Sequence, residues 1–184
     1  MVLEYDNFIS EIICDRLIKI SYRKLNKAEV LGEEIKDYRS ANSCWLNDDD
    51  DKVVTKFRQK ISELVNLPIE NMESLHIVSY DVGGEYKEHH DFFHPTETYF
   101  ESTMAEGGQR VKTCLVYLND YFTGGETEFI NLGIKVKPKT GKLVVWDNLN
   151  EDGSLDYDSL HAGLPVTEGK KFIAVIWIRE NKFG

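Results

Sequence analysis

The stretch Tyr80-Asp81-Val82-Gly83-Gly84-Glu85-Tyr86-Lys87-Glu88-His89-His90-Asp91-Phe92 gathers the most reactive side-chain types into the shortest span. It reads as a strand, a glycine turn and a returning strand that sets His89 and Asp91 two positions apart. Side chains alternate faces along a strand, so an imidazole and a carboxylate at i and i+2 point the same way, and His90 points to the other. That pair is two of the three donors of a 2-His-1-carboxylate facial triad, which holds non-heme Fe(II) and leaves coordination positions open. His161, far along the chain, is the candidate for the third. His-x-Asp alone is a weak signal, since a single histidine is usually a surface or hydrogen-bonded structural residue. The weight comes from what lies downstream.

Iron-dependent oxygen chemistry with 2-oxoglutarate asks for more than three ligands. Two neutral imidazoles and one carboxylate leave a ferrous centre at net +1, which attracts the dianionic co-substrate. Its far carboxylate is still charged in a largely dry interior, so a cation with hydrogen-bond donors must meet it there. Lys171 follows His161 at plus ten and opens the apolar strand Phe172-Ile173-Ala174-Val175-Ile176-Trp177. Alternation puts Lys171, Ile173, Val175 and Trp177 on one face. In isolation a lysine at a strand start is a solvated edge residue; in register after such a histidine it can face inward. On Val111 to Leu118 the residues Thr113, Leu115 and Tyr117 share a face, and Tyr117 can add a phenolic hydrogen bond to the same carboxylate.

The elements that must position these residues follow from periodicity. Asn7 to about Leu25 is helical in pattern, capped by Asn7 or Ser10, with Phe8, Ile9, Ile12, Ile13, Leu17 and Ile20 as an apolar stripe. Residues 26–51 are polar and mixed, with Trp45 and Asp37-Tyr38-Arg39-Ser40 the features of note. A second amphipathic helix spans about Asp51 to Val65, with Val53, Val54, Phe57, Ile61 and Leu64 facing inward, and Pro68 prevents its continuation. From Glu73 onward the segments Ser74–Tyr80, Tyr86–Phe92, Arg110–Asn119, Thr127–Ile130, Ile134–Lys137, Lys142–Trp146 and Phe172–Ile178 are strand-like and bounded by Gly, Pro, Asn or Asp. Between them His94 to Gln109 is a long polar excursion and a lid candidate. Two helices followed by seven or eight short strands point to an α+β chain. The strands form a β-sandwich or jelly roll, a double-stranded β-helix, with helical backing. The expected organisation is one domain over 1–184, with 1–72 as helical support and 73–184 as the jelly-roll core.

Composition sets outer bounds. The chain has 184 residues, 41% of them hydrophobic and 29% charged, enough for one buried core. No apolar run is long enough to cross a bilayer as a helix, and Met1-Val2-Leu3-Glu4-Tyr5-Asp6 lacks the pattern of a secretory signal. A formal net charge of −10 argues against nucleic acid as a partner. Asp48-Asp49-Asp50-Asp51 reads as a solvated loop that supplies a helix N-cap. Cys14, Cys44 and Cys114 match no zinc or disulfide spacing and read as reduced thiols of a cytoplasmic protein.

These motifs, in this order, resemble the catalytic domain of the prolyl 4-hydroxylases, within the Fe(II)/2-oxoglutarate-dependent dioxygenases. Tyr-x-x-Gly followed by Tyr-x-x-His-x-Asp matches Tyr80, Gly83, Tyr86, His89 and Asp91. Gly-Gly-Glu-Thr-x-Phe matches Gly124 to Phe129, and Pro-x-x-Gly before an apolar strand ending in Trp matches Pro138 to Gly141 and Trp146. The second histidine, its Pro-Val and the lysine match His161, Pro165, Val166 and Lys171; the resemblance covers nearly the whole chain. It implies His89, Asp91 and His161 as the metal ligands and catalytic centre. Lys171, with Tyr117 and Tyr80, would hold the distal carboxylate of 2-oxoglutarate. It implies Tyr86 and Trp177 flanking a substrate proline ring, with Arg39, Glu73 and Arg110 lining a peptide groove. Simple core aromatics is the competing reading of Tyr86 and Trp177, and Arg39 departs from the pattern in having Ala41 two positions on. The implied cofactors are Fe(II), 2-oxoglutarate, O2 and ascorbate. The implied reaction converts peptidyl proline to 4-hydroxyproline with release of succinate and CO2. The lysine resembles the collagen and plant type, although the short Asn131-Leu132-Gly133 connection speaks against collagen itself as substrate. A hydroxylase of a free amino acid or another side chain, a non-catalytic jelly-roll binding module, and a zinc or manganese sugar-binding jelly roll are the rival readings.

Overall fold

A computed structural model of the chain describes residues 1–27 and 40–184, so Arg39 lies outside the described residues. In chain order the strands are β1 (Val2–Tyr5), β2 (Asn26–Lys27), β3 (Asn42–Leu46), β4 (Leu75–Tyr80), β5 (Tyr86–His89), β6 (Arg110–Tyr117) and β7 (Phe122–Gly124). They continue as β8 (Thr127–Phe129), β9 (Ile134–Val136), β10 (Leu143–Asp147), β11 (His161–Gly163), β12 (Val166–Gly169) and β13 (Lys171–Arg179). The helices are α1 (Glu11–Ser21), α2 (Lys52–Val65) and α3 (Phe100–Ala105). A seven-stranded sheet has the order β1-β10-β6-β13-β4-β3-β2, a four-stranded sheet β5-β11-β8-β9, and β12 and β7 form a separate pair. The pairings are antiparallel throughout. Antiparallel sheets with few helices agree with the jelly roll expected from the sequence.

The central strand β13 explains the layering. All nine of its residues are buried, because it lies between β6 and β4 and both of its faces are covered. Phe172, Ala174, Ile176 and Ile178 pack in one apolar cluster with Leu17 and Ile18 of α1 and Val54, Phe57 and Ile61 of α2. Ile173, Val175 and Trp177 pack in a second cluster with Phe129, Val136 and Trp146. Each such fully buried side chain stabilises the fold by about 1.5–3 kcal/mol relative to leaving it exposed. Strand alternation thus sends one half of β13 to the helices and the other half to the site.

Several local expectations change. The first helix is shorter than its pattern, because Asn7 takes a left-handed φ of 54° and the regular turn starts only after Ser10. Its buried line is Cys14, Leu17, Ile18 and Ser21, and Ile12 is 81% exposed, so the stripe is rotated from the one read off the sequence. In α2, Val54, Phe57 and Ile61 are buried as expected, whereas Leu64 at the last turn is exposed. Asp51 caps α2 by accepting the Val53 amide at 2.9 Å, worth about 1 kcal/mol. The acidic run is more than a solvated loop: Asp51 pairs with Arg16, Asp50 with Lys24 and Asp48 with Arg58. The polar stretch after α1 hides a paired strand, β3, whose Trp45 stands opposite His76. The excursion from His94 to Gln109 carries α3 and is anchored where the Gln109 side chain bonds both the amide and carbonyl of Phe93.

Candidate active site

The two histidines are brought together by strand pairing. His161 in β11 is the Cα partner of His89 in β5, and β11 also pairs with β8. The strand carrying His89 stops there, so Asp91 sits in the bend that follows and not on the strand, as simple alternation required. The side chains still converge: Asp91 Oδ1 lies 3.8 Å from His89 Nε2, and Oδ2 lies 3.7 Å from His161 Nε2. One donor atom from each of the three residues lies within 4.8 Å of the others. His90 turns away and stacks on Phe92.

Hydrogen bonds prepare these groups for a metal. His89 Nδ1 lies 2.7 Å from the Lys87 carbonyl and His161 Nδ1 lies 2.8 Å from the Ser159 carbonyl. A carbonyl only accepts, so each Nδ1 carries the proton and each Nε2 offers its lone pair to the shared space. Burial alone would raise the Asp91 carboxyl. Positive charge on the His161 and His89 rings when they are protonated, with the Arg110 guanidinium and the Thr113 hydroxyl, holds it below its ordinary value. Two imidazole nitrogens and an ionised carboxylate fit Fe(II), whereas an oxygen-only site would suit magnesium or calcium.

Lys171 does face inward and is only 2% exposed. It shares a cavity with His89, Asp91, His161, Tyr80 and Thr127. Its Nζ donates to the Gly125 carbonyl at 2.7 Å and lies 5.0 Å from the Tyr80 ring and 5.6 Å from that of Tyr117. The phenol of Tyr117 is within 2.6 Å of Thr127 Oγ1, so its first partner is that hydroxyl. Burial raises the Tyr117 phenol well above its ordinary value and keeps it protonated. Gly124 and Gly125 have positive φ, and a Cβ on Gly124 would come 2.3 Å from the Pro165 carbonyl oxygen. The double glycine is therefore what lets β7 and β8 turn tightly against the β11–β12 connection.

Outside this cavity a groove of about 1090 Å³ runs from Asp91 and Tyr86 past Trp177 to Trp45. Tyr86 stacks on His89 with ring centroids 3.5 Å apart. Arg110 lies over the Trp177 ring at 4.0 Å and bonds both oxygens of Glu73 at 2.7 Å. Sequence reasoning missed Arg179. It is 2% exposed, bonds Glu73 Oε1 at 2.9 Å, and also donates to the carbonyls of Gly108 and Thr103. Its place at the end of β13, in alternation with Lys171 and Trp177, was the available signal. Thr113, Thr127 and Asn148 were likewise unassigned as polar partners within the site.

A sequence model of the 2OG-Fe(II) oxygenase superfamily matches residues 75–179. The chain is 37% identical over 97% of its length to a protein of Acanthamoeba polyphaga mimivirus provisionally named prolyl 4-hydroxylase, and covers 74% of it. It is 32% identical over 97% of its length to prolyl 4-hydroxylase 2 of Arabidopsis thaliana, covering 67% of that protein. The solved viral collagen prolyl hydroxylase of Paramecium bursaria Chlorella virus-1, in its 2OG complex, superposes with a TM-score of 0.78 at 30% identity. That superposition covers 97% of this chain and 95% of the viral one. The chain thus belongs to the prolyl 4-hydroxylase family of the 2OG-Fe(II) oxygenases.

Proposed function

We propose that the protein is a 2-oxoglutarate-dependent dioxygenase that converts prolyl residues of a peptide to 4-hydroxyproline. The observation that carries this reading is that the His-Asp-His cluster and the buried Lys171 open onto one cavity. His89, Asp91 and His161 would hold Fe(II) through two Nε2 atoms and a carboxylate oxygen. Lys171 would meet the distal carboxylate of 2-oxoglutarate, with the hydroxyls of Tyr117 and Thr127 beside it and Tyr80 packed over the ammonium. When bound, iron and 2-oxoglutarate supply oxidative decarboxylation, releasing succinate and CO2 and delivering one oxygen atom to a substrate C–H bond. The protein's own part is to bind, orient and exclude water. Tyr86 and Trp177 would flank the proline ring, with Arg110 and Glu73 fixing the groove wall. Ascorbate would serve as the reductant that keeps the iron ferrous when turnover proceeds without substrate.

The groove supports a peptide over a free amino acid, because it extends well past the metal ligands and is wider than one residue would fill. The test is anaerobic loading with Fe(II) and 2-oxoglutarate, then oxygen, in the presence of proline-rich peptides or free proline. Succinate release together with gain of one oxygen atom by a peptide proline is the expected result. Oxidation of free proline with all peptides untouched would sink the peptide reading, and no succinate under any condition would sink the chemistry.

A further inference from the structure

Thr113 and Asn148 form a polar chain behind the metal-ligand carboxylate, and both are fully buried. Thr113 Oγ1 lies 2.8 Å from Asp91 Oδ2, and Asn148 Nδ2 lies 2.9 Å from Thr113 Oγ1. The direction of this chain follows from valence. An ionised carboxylate only accepts, so the single hydroxyl hydrogen of Thr113 must go to Asp91. The threonine oxygen is then left as an acceptor, and Asn148 must present its NH2. Asn148 is itself fixed, since its backbone amide bonds the Val111 carbonyl and its own carbonyl accepts from the Asp156 amide. Among the described residues its buried Oδ1 meets no hydrogen-bond donor, in keeping with an amide turned to present its NH2 to Thr113.

The placement matters because the carboxylate is nearly symmetric toward the two imidazoles. Oδ1 lies 3.8 Å from His89 Nε2 and Oδ2 lies 3.7 Å from His161 Nε2. Distance alone therefore does not select one of the two oxygens as the metal donor. Three protein donors leave three positions of an octahedron, enough for a keto acid chelate and one small molecule; a fourth protein oxygen leaves only two. We propose that the Thr113–Asn148 relay occupies Oδ2 and keeps Asp91 a one-oxygen ligand, so that the third open position survives. Thr113 and Asn148 are positioning residues for the co-substrate, acting through Asp91. This rests on the Fe(II)/2-oxoglutarate reading above and does not depend on which prolyl substrate is used.

The test separates denticity from mere support of the ligand. A relay that only orients Asp91 would cost metal affinity, typically 10–100-fold on removal. A relay that limits denticity leaves metal affinity nearly unchanged and weakens the chelating co-substrate. Thr113→Val keeps the shape and removes the hydroxyl; Thr113→Ser restores it. With Co(II) in place of iron, calorimetry should give a Co(II) dissociation constant for Thr113→Val within about threefold of the parent. The 2-oxoglutarate constant of the loaded protein should rise about tenfold and return in Thr113→Ser. The Co(II) absorption of the 2-oxoglutarate complex should change in Thr113→Val and be restored in Thr113→Ser. Unchanged 2-oxoglutarate binding in Thr113→Val overturns the proposal, as does parallel loss of Co(II) and 2-oxoglutarate. Should Thr113→Val fail to fold, Thr113→Ala, which also removes the hydroxyl, is read by the same two constants, with the same outcomes for and against. Parent protein that loads Co(II) but binds no 2-oxoglutarate would instead remove the underlying functional reading.

Discussion

His161 stands directly across the antiparallel ladder from His89, and their rings lie 4.2 Å apart. Two residues distant in sequence thus become a cross-strand pair, whose spacing is set by backbone hydrogen bonds and not by side-chain flexibility. The bend after β5 then swings Asp91 in to complete the cluster. Because the donors are fixed by ladder geometry and by Nδ1 bonds to carbonyls, the site is ordered ahead of its ligand.

Removal of the ammonium should act on co-substrate binding before anything else. Lys171→Ala is expected to raise the apparent 2-oxoglutarate KM by about 100-fold or more, as breaking a buried ion pair costs about 3–5 kcal/mol. Steady-state succinate release against 2-oxoglutarate concentration checks it. An unchanged KM would take Lys171 out of that role.

The Glu73 carboxylate is buried between Arg110 and Arg179. Arg179→Met should leave one of its hydrogen bonds unmade and release the carbonyls of Gly108 and Thr103, at a cost of about 3–5 kcal/mol. Urea denaturation of both proteins measures this; a midpoint matching the parent would show that Arg179 supports nothing.

At the glycine pair, Gly124→Ala adds a Cβ to a residue with φ of 74° and drives it against the Pro165 carbonyl oxygen. Destabilisation of at least about 1–3 kcal/mol is expected from the backbone conformation alone. Thermal unfolding checks it, with Gly133→Ala as a comparison, since open space surrounds that glycine.

The three cysteines are free and buried, and burial pushes Cys14 and Cys114 up to about 12 and Cys44 up to about 11 from an ordinary 9.0. A raised pKa in the folded state means that the fold favours the neutral thiol. That stability is fully present below about 9 and is lost as pH rises through about 11 to 12. Iodoacetamide at pH near 8 should therefore modify the native chain far more slowly than the urea-unfolded one, by mass spectrometry. Equal rates would mean that these thiols are neither buried nor suppressed.

The residue types in order were enough to read the metal cluster, the inward lysine and the sheet-rich fold. His89, His161 and Lys171 each sit on a strand bounded by turn residues, patterns written one residue at a time, whereas Asp91, read onto a strand by alternation, lies in the bend after β5. The strand β3 was not readable, because Asn42-Ser43-Cys44-Trp45-Leu46 gains its strand character by pairing with β4 on one side and β2 on the other. The rotation of α1, with Ile12 outside, was likewise fixed by what the sheet offered it to pack on. Arg179 and Thr113 belong to the same class, ordinary polar residues until the fold buries them against Glu73 and Asp91, and Asn148 enters the site only through the Thr113 hydroxyl. Burial and partner identity depend on contacts between distant segments, so only the tertiary structure decided them.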